Sequence, residues 1–387
     1  MAGPAASRKD RMRGGMAGMD EKSLRAMLDS AVGDEPPIGP VGRNSLREGI
    51  KLRRHARMRR AAGAAVVVAA MATAVPAVTA VLGNGPVAPS ARTAYVVVQQ
   101  SGAVVPIDLA TNTPGQPIRV GRALYAIAIT PDGKTAYVTD EGANDVTPID
   151  LATNTPGRPI ELGVAPHAIA ITPDGKTAYV AAGNTMTPID LATGAPGTPI
   201  RIGTPPPSVI AITPDGKTAY VGEMNAVLPI DLATRTRGTL IAAGGPLGWV
   251  TIAITPNGKT AYAAAGNTMT PIDVATNTAG KPIHLGGPAD THAATAIAIA
   301  PDGNTAYLGH GNAVTPINLA TRTPGKPIHV GGPVYAIAIT PDGNTAYVAC
   351  GNTVTPINLA TGTPGKPIRV WHFPAPKPSP ESIAIMP

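Results

Sequence analysis

Beyond residue 92 the chain is written in short apolar runs, broken at regular intervals by turn residues. In AIAITPDGKTAYV, residues 126–138, two such runs flank Thr-Pro-Asp-Gly. Runs this short suit strands better than helices, and their Val, Ile, Thr and Tyr content fits a pleated, half-buried surface. Residues 167–203 carry the whole phrase. HAIAIT reads as a first strand. TPDG follows, with Pro173 and Gly175 at the positions that a type I turn closed by a left-handed glycine prefers. TAYVAA is a second strand, Gly183-Asn184 a second turn, TMTPIDLAT a third strand and TPIRIG a fourth.

The phrase recurs. Thr-Ala-Tyr ends at Tyr95, Tyr137, Tyr179, Tyr220, Tyr262, Tyr307 and Tyr347, at intervals of 42, 42, 41, 42, 45 and 40. Pro-Ile-Asp/Asn recurs in step, ending at Asp108, Asp150, Asp190, Asp231, Asp273, Asn318 and Asn358. Four antiparallel strands per repeat, with no helical stretch between them, predict an all-β, seven-bladed β-propeller over residues 92–387. The first repeat opens at TAYVVV and lacks its AIAITPDG. The fragment SIAIM, residues 382–386, supplies that missing strand, so the ring should close with N- and C-terminal strands in one blade. A proline such as Pro188 inside each third strand removes a ladder donor, which predicts a bulge or a non-bonded position there.

The phrase TAYVTDEGANDVTPIDLATNTPGRPIELG, followed by AIAITPDGKT, resembles the YVTN repeat family, seven-bladed propellers that include the YncE-like proteins. The resemblance covers nearly all of residues 92–387 and departs from the family at the third-strand proline. It implies an exported binding or scaffold protein without an established catalytic motif, and fold likeness alone does not supply a function.

Charge changes the picture only at the N-terminus. The net charge of +7 comes entirely from residues 1–60, with 14 Lys/Arg against 7 Asp/Glu; residues 61–387 hold 17 of each. A basic nucleic-acid-binding domain is therefore not expected. Residues 61–83, AAGAAVVVAAMATAVPAVTAVLG, contain no charge and are long enough for a tilted helix across roughly 30 Å of hydrocarbon. KLRRHARMRR immediately before them predicts a single-pass signal anchor, with residues 1–60 cytoplasmic and the propeller extracellular, after a linker at 84–91. A cleaved signal ending at VTA (Val78 to Ala80) and a buried helix of a soluble protein are the alternatives. Within the tail, Asp20 to Gly33 carries one amphipathic helical pattern. Cys350 is the one cysteine, which excludes an intrachain disulfide.

Candidate chemistry lies where the repeat is broken. Six residues before each turn proline, at the start of the first strand, stand Tyr125, His167, Ser208, Val250, Thr295, Tyr335 and Glu381. Three residues after each tyrosine, at the end of the second strand, stand Val98, Asp140, Ala182, Glu223, Ala265, His310 and Cys350. In an up-and-down blade these two rings share one face of the disc, around the channel mouth. The candidate ligand-binding set is Tyr125, His167, Tyr335, Glu381, Asp140, Glu223 and His310. No HExxH, GxSxG or phosphate loop occurs, and DEGAND at 140–145 lacks the alternate spacing of a Ca²⁺ loop. No catalytic residue, metal or cofactor is expected. The sequence points to a non-enzymatic scaffold for an extracellular small molecule, glycan or protein. The alternative is a lyase- or lactonase-like propeller enzyme.

Overall fold

The computed structural model describes residues 93–203, 207–243, 249–285, 294–370 and 380–387. The predicted tail, membrane span and linker lie outside these residues. Among the described residues no helix is long and apolar enough to cross a membrane. What they form is seven antiparallel sheets whose first strands contact one another in sequence order around a ring. The circuit runs from blade 1 through blade 7 and back, because the first strand of blade 7 (Val334–Ile339) packs on Pro380–Ile385.

Pro380–Ile385 pairs antiparallel with Thr93–Val98, matching Ile385 to Ala94 and Ile383 to Val96. The expected closure is therefore present, with the backbone N–H of Met386 also donating to the Thr93 carbonyl. Ile383 is fully buried and Ile385 nearly so. Burying each contributes roughly 1.5–3 kcal/mol.

The TPDG turns form as expected. Gly175 has φ +70° and donates to the Thr172 carbonyl at 2.8 Å. The Thr172 hydroxyl donates to Asp174 at 2.6 Å, and Asp174 in turn accepts the Lys176 N–H. The same glycine conformation returns at Gly133, Gly216, Gly258, Gly303 and Gly343.

The fourth strand departs from expectation. It is two short pieces, as in Ala195–Pro196 and Ile200–Arg201, both paired with the third strand Thr185–Asp190. The third-strand proline explains the gap. Pro188 lies opposite Tyr179, and its carbonyl points outward to accept the Gly197 N–H at 2.7 Å. The missing proline N–H would have pointed the same way, toward the interruption, so the ladder with the second strand loses nothing. A Cβ on Gly197 would stand 3.2 Å from Cγ of Pro188, so a glycine lets the outer chain come close. The six other blades repeat this bond.

Blades are also latched sideways. The hydroxyl of Tyr95 donates to Asn154 of the next blade at 3.0 Å, Tyr220 to Asn277 at 2.6 Å and Tyr347 to Asn112 at 2.7 Å. All three asparagines have φ between 54° and 56°, a region asparagine enters more readily than most residues. The tyrosine rings themselves are buried between blades.

Candidate functional site

The backbone ladder brings the two candidate rings to one face. Leu124 pairs with Asp140, Pro166 with Ala182, Ala294 with His310 and Val334 with Cys350. The first ring has a further property that the sequence did not reveal. The pairing jumps from Pro166 to Ala168, from Ala294 to Ala296, from Val334 to Ala336, and from Leu124 to Ile127. Between Val97 and Val98 it jumps from Ser382 to Pro380. His167, Thr295, Tyr335, Tyr125 and the position of Glu381 are thus the extra residues of β-bulges. A bulge releases a residue from the ladder and re-aims its side chain.

Tyr125, His167, Thr295 and Tyr335 are half-buried, so each keeps part of its surface in solvent. Tyr125 and His167, from blades 2 and 3, meet edge to face with ring centroids 5.4 Å apart. Burial pushes the His167 imidazole pKa below its ordinary 6.5, and the Glu141 carboxylate partly offsets this. The neutral ring is therefore favoured at neutral pH. Ser208 is buried and gives its hydroxyl to the Val250 carbonyl at 3.0 Å, which joins blades 4 and 5.

The second ring is more deeply buried and more varied in role. Asp140 is 1% exposed, and its oxygens accept four backbone N–H groups. These belong to Arg122 (2.8 Å), Ala123 (3.0 Å), Gly142 (2.9 Å) and Ala143 (3.2 Å). Asp140 thus organises two connections, and its acceptor capacity is turned inward. His310 turns toward the third strand, its Nε2 lying 2.6 Å from the Thr315 hydroxyl. Cys350 does the same, 3.3 Å from Thr355. Glu223 is 8% exposed, and its Oε1 has no hydrogen-bond partner among the described residues. The carboxylate lies where a Cβ on Gly203 would stand. Met224 beside it is exposed and bridges to Trp249 of blade 5.

Asp145 completes the acidic corner of blade 2. Burial raises its carboxyl pKa, Asp140 and Glu161 add to the rise, and the Thr147 hydroxyl at 3.1 Å opposes it. Among the described residues no group of three or more His, Cys, Asp or Glu is arranged to hold a metal ion.

Fold and ring arrangement define the chain as a seven-bladed β-propeller of four-stranded blades. No protein-family model matches it, and no curated protein does. Solved structures do. The chain is similar to Kuenenia stuttgartiensis hydrazine synthase, with a TM-score of 0.59 and 22% identity over 67% of this chain and 88% of that one. It is also similar to a functionally unknown protein from Desulfotomaculum acetoxidans, with a TM-score of 0.66 and 18% identity over 76% of this chain and 98% of that one. At these identities the likeness is one of fold.

Proposed function

We propose that this chain is an exported, membrane-anchored propeller of the YVTN-repeat, YncE-like kind, and that it binds a glycan on the bulged face without turning it over. The observation behind this reading is the bulge ring. The first strands are otherwise nearly uniform, yet their bulge positions carry Tyr125, His167, Thr295 and Tyr335, half-exposed and different from blade to blade. Tyrosine offers a flat apolar body and a polar tip, which suits a sugar ring and its hydroxyls.

The test is a glycan array followed by calorimetry on full-length protein. Tyr125→Ala and Tyr335→Ala should each weaken binding at least ten-fold. Changes at Lys134 and Lys176, in the turns of the opposite face, should leave it unchanged. Binding that follows the lysines instead would overturn the assignment of the face. The membrane reading predicts that external protease removes the propeller and spares residues 1–60; digestion of that tail from outside would reverse the orientation. A second reading rests on His167, whose neutral imidazole beside Glu141 could take a proton. Turnover of a bound ligand, abolished by His167→Ala, would make the protein an enzyme.

A further inference from the structure

The Tyr–Asn latch is rewritten between blades 3 and 4. Where Asn112, Asn154 and Asn277 stand in blades 1, 2 and 5, blade 4 has Arg235, held at φ 59°; blades 3 and 7 have glycine there and blade 6 has Arg322. That is a conformation asparagine adopts more readily than arginine. A guanidinium has donors only, so it cannot accept the proton of the facing tyrosine. Tyr179 is buried, and its hydroxyl makes no hydrogen bond to a described residue. It lies near enough to Arg235 for that charge to work against the upward push of burial on its pKa.

A second departure falls in the same place. Arg237 stands where Pro114, Pro156, Pro196, Pro324 and Pro364 stand in other blades. Arg201 approaches from blade 3. Together with Thr198, Pro199, Ile200 and Thr236, these three arginines line a groove of about 440 Å³ on the outer wall. No carboxylate lines it, and among the described residues no ion pair engages the three guanidinium groups. The result is a concave cluster of guanidinium donors, drawn from two blades and lacking a carboxylate.

We propose that this groove is an oxyanion site, which takes the phosphate or sulfate group of a small monoester. Guanidinium forks match tetrahedral oxyanions through paired hydrogen bonds. Pro199 and Ile200 offer an apolar wall to the carrier.

The experiment is calorimetry on full-length protein in detergent with four probes: inorganic phosphate, inorganic sulfate, glucose 6-phosphate and glucose 6-sulfate. At least one should bind and raise the melting temperature. Binding of the inorganic ions as tightly as the esters makes the free ion the ligand, whereas preference for an ester brings in the apolar wall; either outcome supports the site. Arg201→Gln and Arg235→Asn should each lower affinity at least ten-fold. Arg235→Asn should also raise the melting temperature of the unliganded protein, because it restores the acceptor for Tyr179 and relieves the backbone. Arg322→Asn, the same exchange in blade 6, should leave affinity unchanged. Failure of all four probes, or an equal loss with Arg322→Asn, would overturn the proposal.

Discussion

Asp140 and Glu223 hold the same place at the end of the second strand, one in blade 2 and the other in blade 4, and both are buried. Their surroundings differ in the turn that follows and in the connection beside them. The connection that follows Gly121 reads Arg-Ala and turns two N–H groups onto Asp140. In sequence Gly203 is followed by Thr-Pro-Pro-Pro, of which residues 204–206 lie outside the described structure. Asp140 has four donors, while one oxygen of Glu223 has none among the described residues. A repeat fixes where a side chain sits. At Asp140 the N–H groups of the neighbouring connection and of its own turn satisfy the carboxylate.

The comparison breaks most readily at Asp140. Asp140→Ala orphans several partly buried N–H groups at once, and should destabilise the propeller by about 2–4 kcal/mol in urea unfolding. A neutral result would mean that water serves those donors equally well. Ala123→Pro copies the proline of blade 4 into blade 2 and should destabilise by about 1–2 kcal/mol. Combined with Asp140→Ala, its effect should be less than additive, since both changes remove one bond. At Glu223 the sign reverses. Glu223→Gln removes a buried charge short of partners and should stabilise by about 1 kcal/mol. Destabilisation there would show that the carboxylate is satisfied, and the contrast between the blades would fail.

Asp145→Asn gives the smallest change and sharpens the picture by pH. The folded protein raises this carboxyl above its ordinary 3.8, so the unfolded chain releases the proton first. Stability from this group is therefore full below about pH 3.8 and falls as pH rises through the raised value. The asparagine variant should be more stable than the parent at neutral pH and gain nothing near pH 3. A gain that persists in acid would assign the effect to packing.

Much of this was legible in the residues. Alternation and the Thr-Ala-Tyr period carried the blades, and the orphan fragment SIAIM carried the ring closure. Both candidate rings were legible as breaks in the repeat, and the ladder places them on one face. The bulges were not legible, because a residue released from the ladder leaves the local apolar pattern nearly intact. The interruption of the fourth strand was missed for a related reason: Gly-Thr-Pro-Ile reads as extended chain, and only the Pro188 carbonyl shows where its bond goes. The latch escaped because it joins residues 57 and 59 apart, Tyr220 to Asn277 and Tyr95 to Asn154, and its meaning depends on which blades are neighbours. The residues ahead of Thr93 lie outside the described structure, so the predicted anchor and tail remain readings of sequence.

The pairing of Thr93–Val98 with Pro380–Ile385 also sets a timetable. A ribosome adds about 5–20 residues per second, so the inner partner of Thr93–Val98 is made roughly 15–60 seconds after that strand. Throughout the interval the oldest part of the propeller presents a bare row of N–H and C=O groups, the template on which chains pair with each other. Six blades can assemble in order as they emerge, but the ring stays open until Pro380–Ile385 arrives. A chain broken off anywhere before Pro380 therefore carries the mark of its own incompleteness at its beginning, as an exposed edge that proteases and chaperones can recognise.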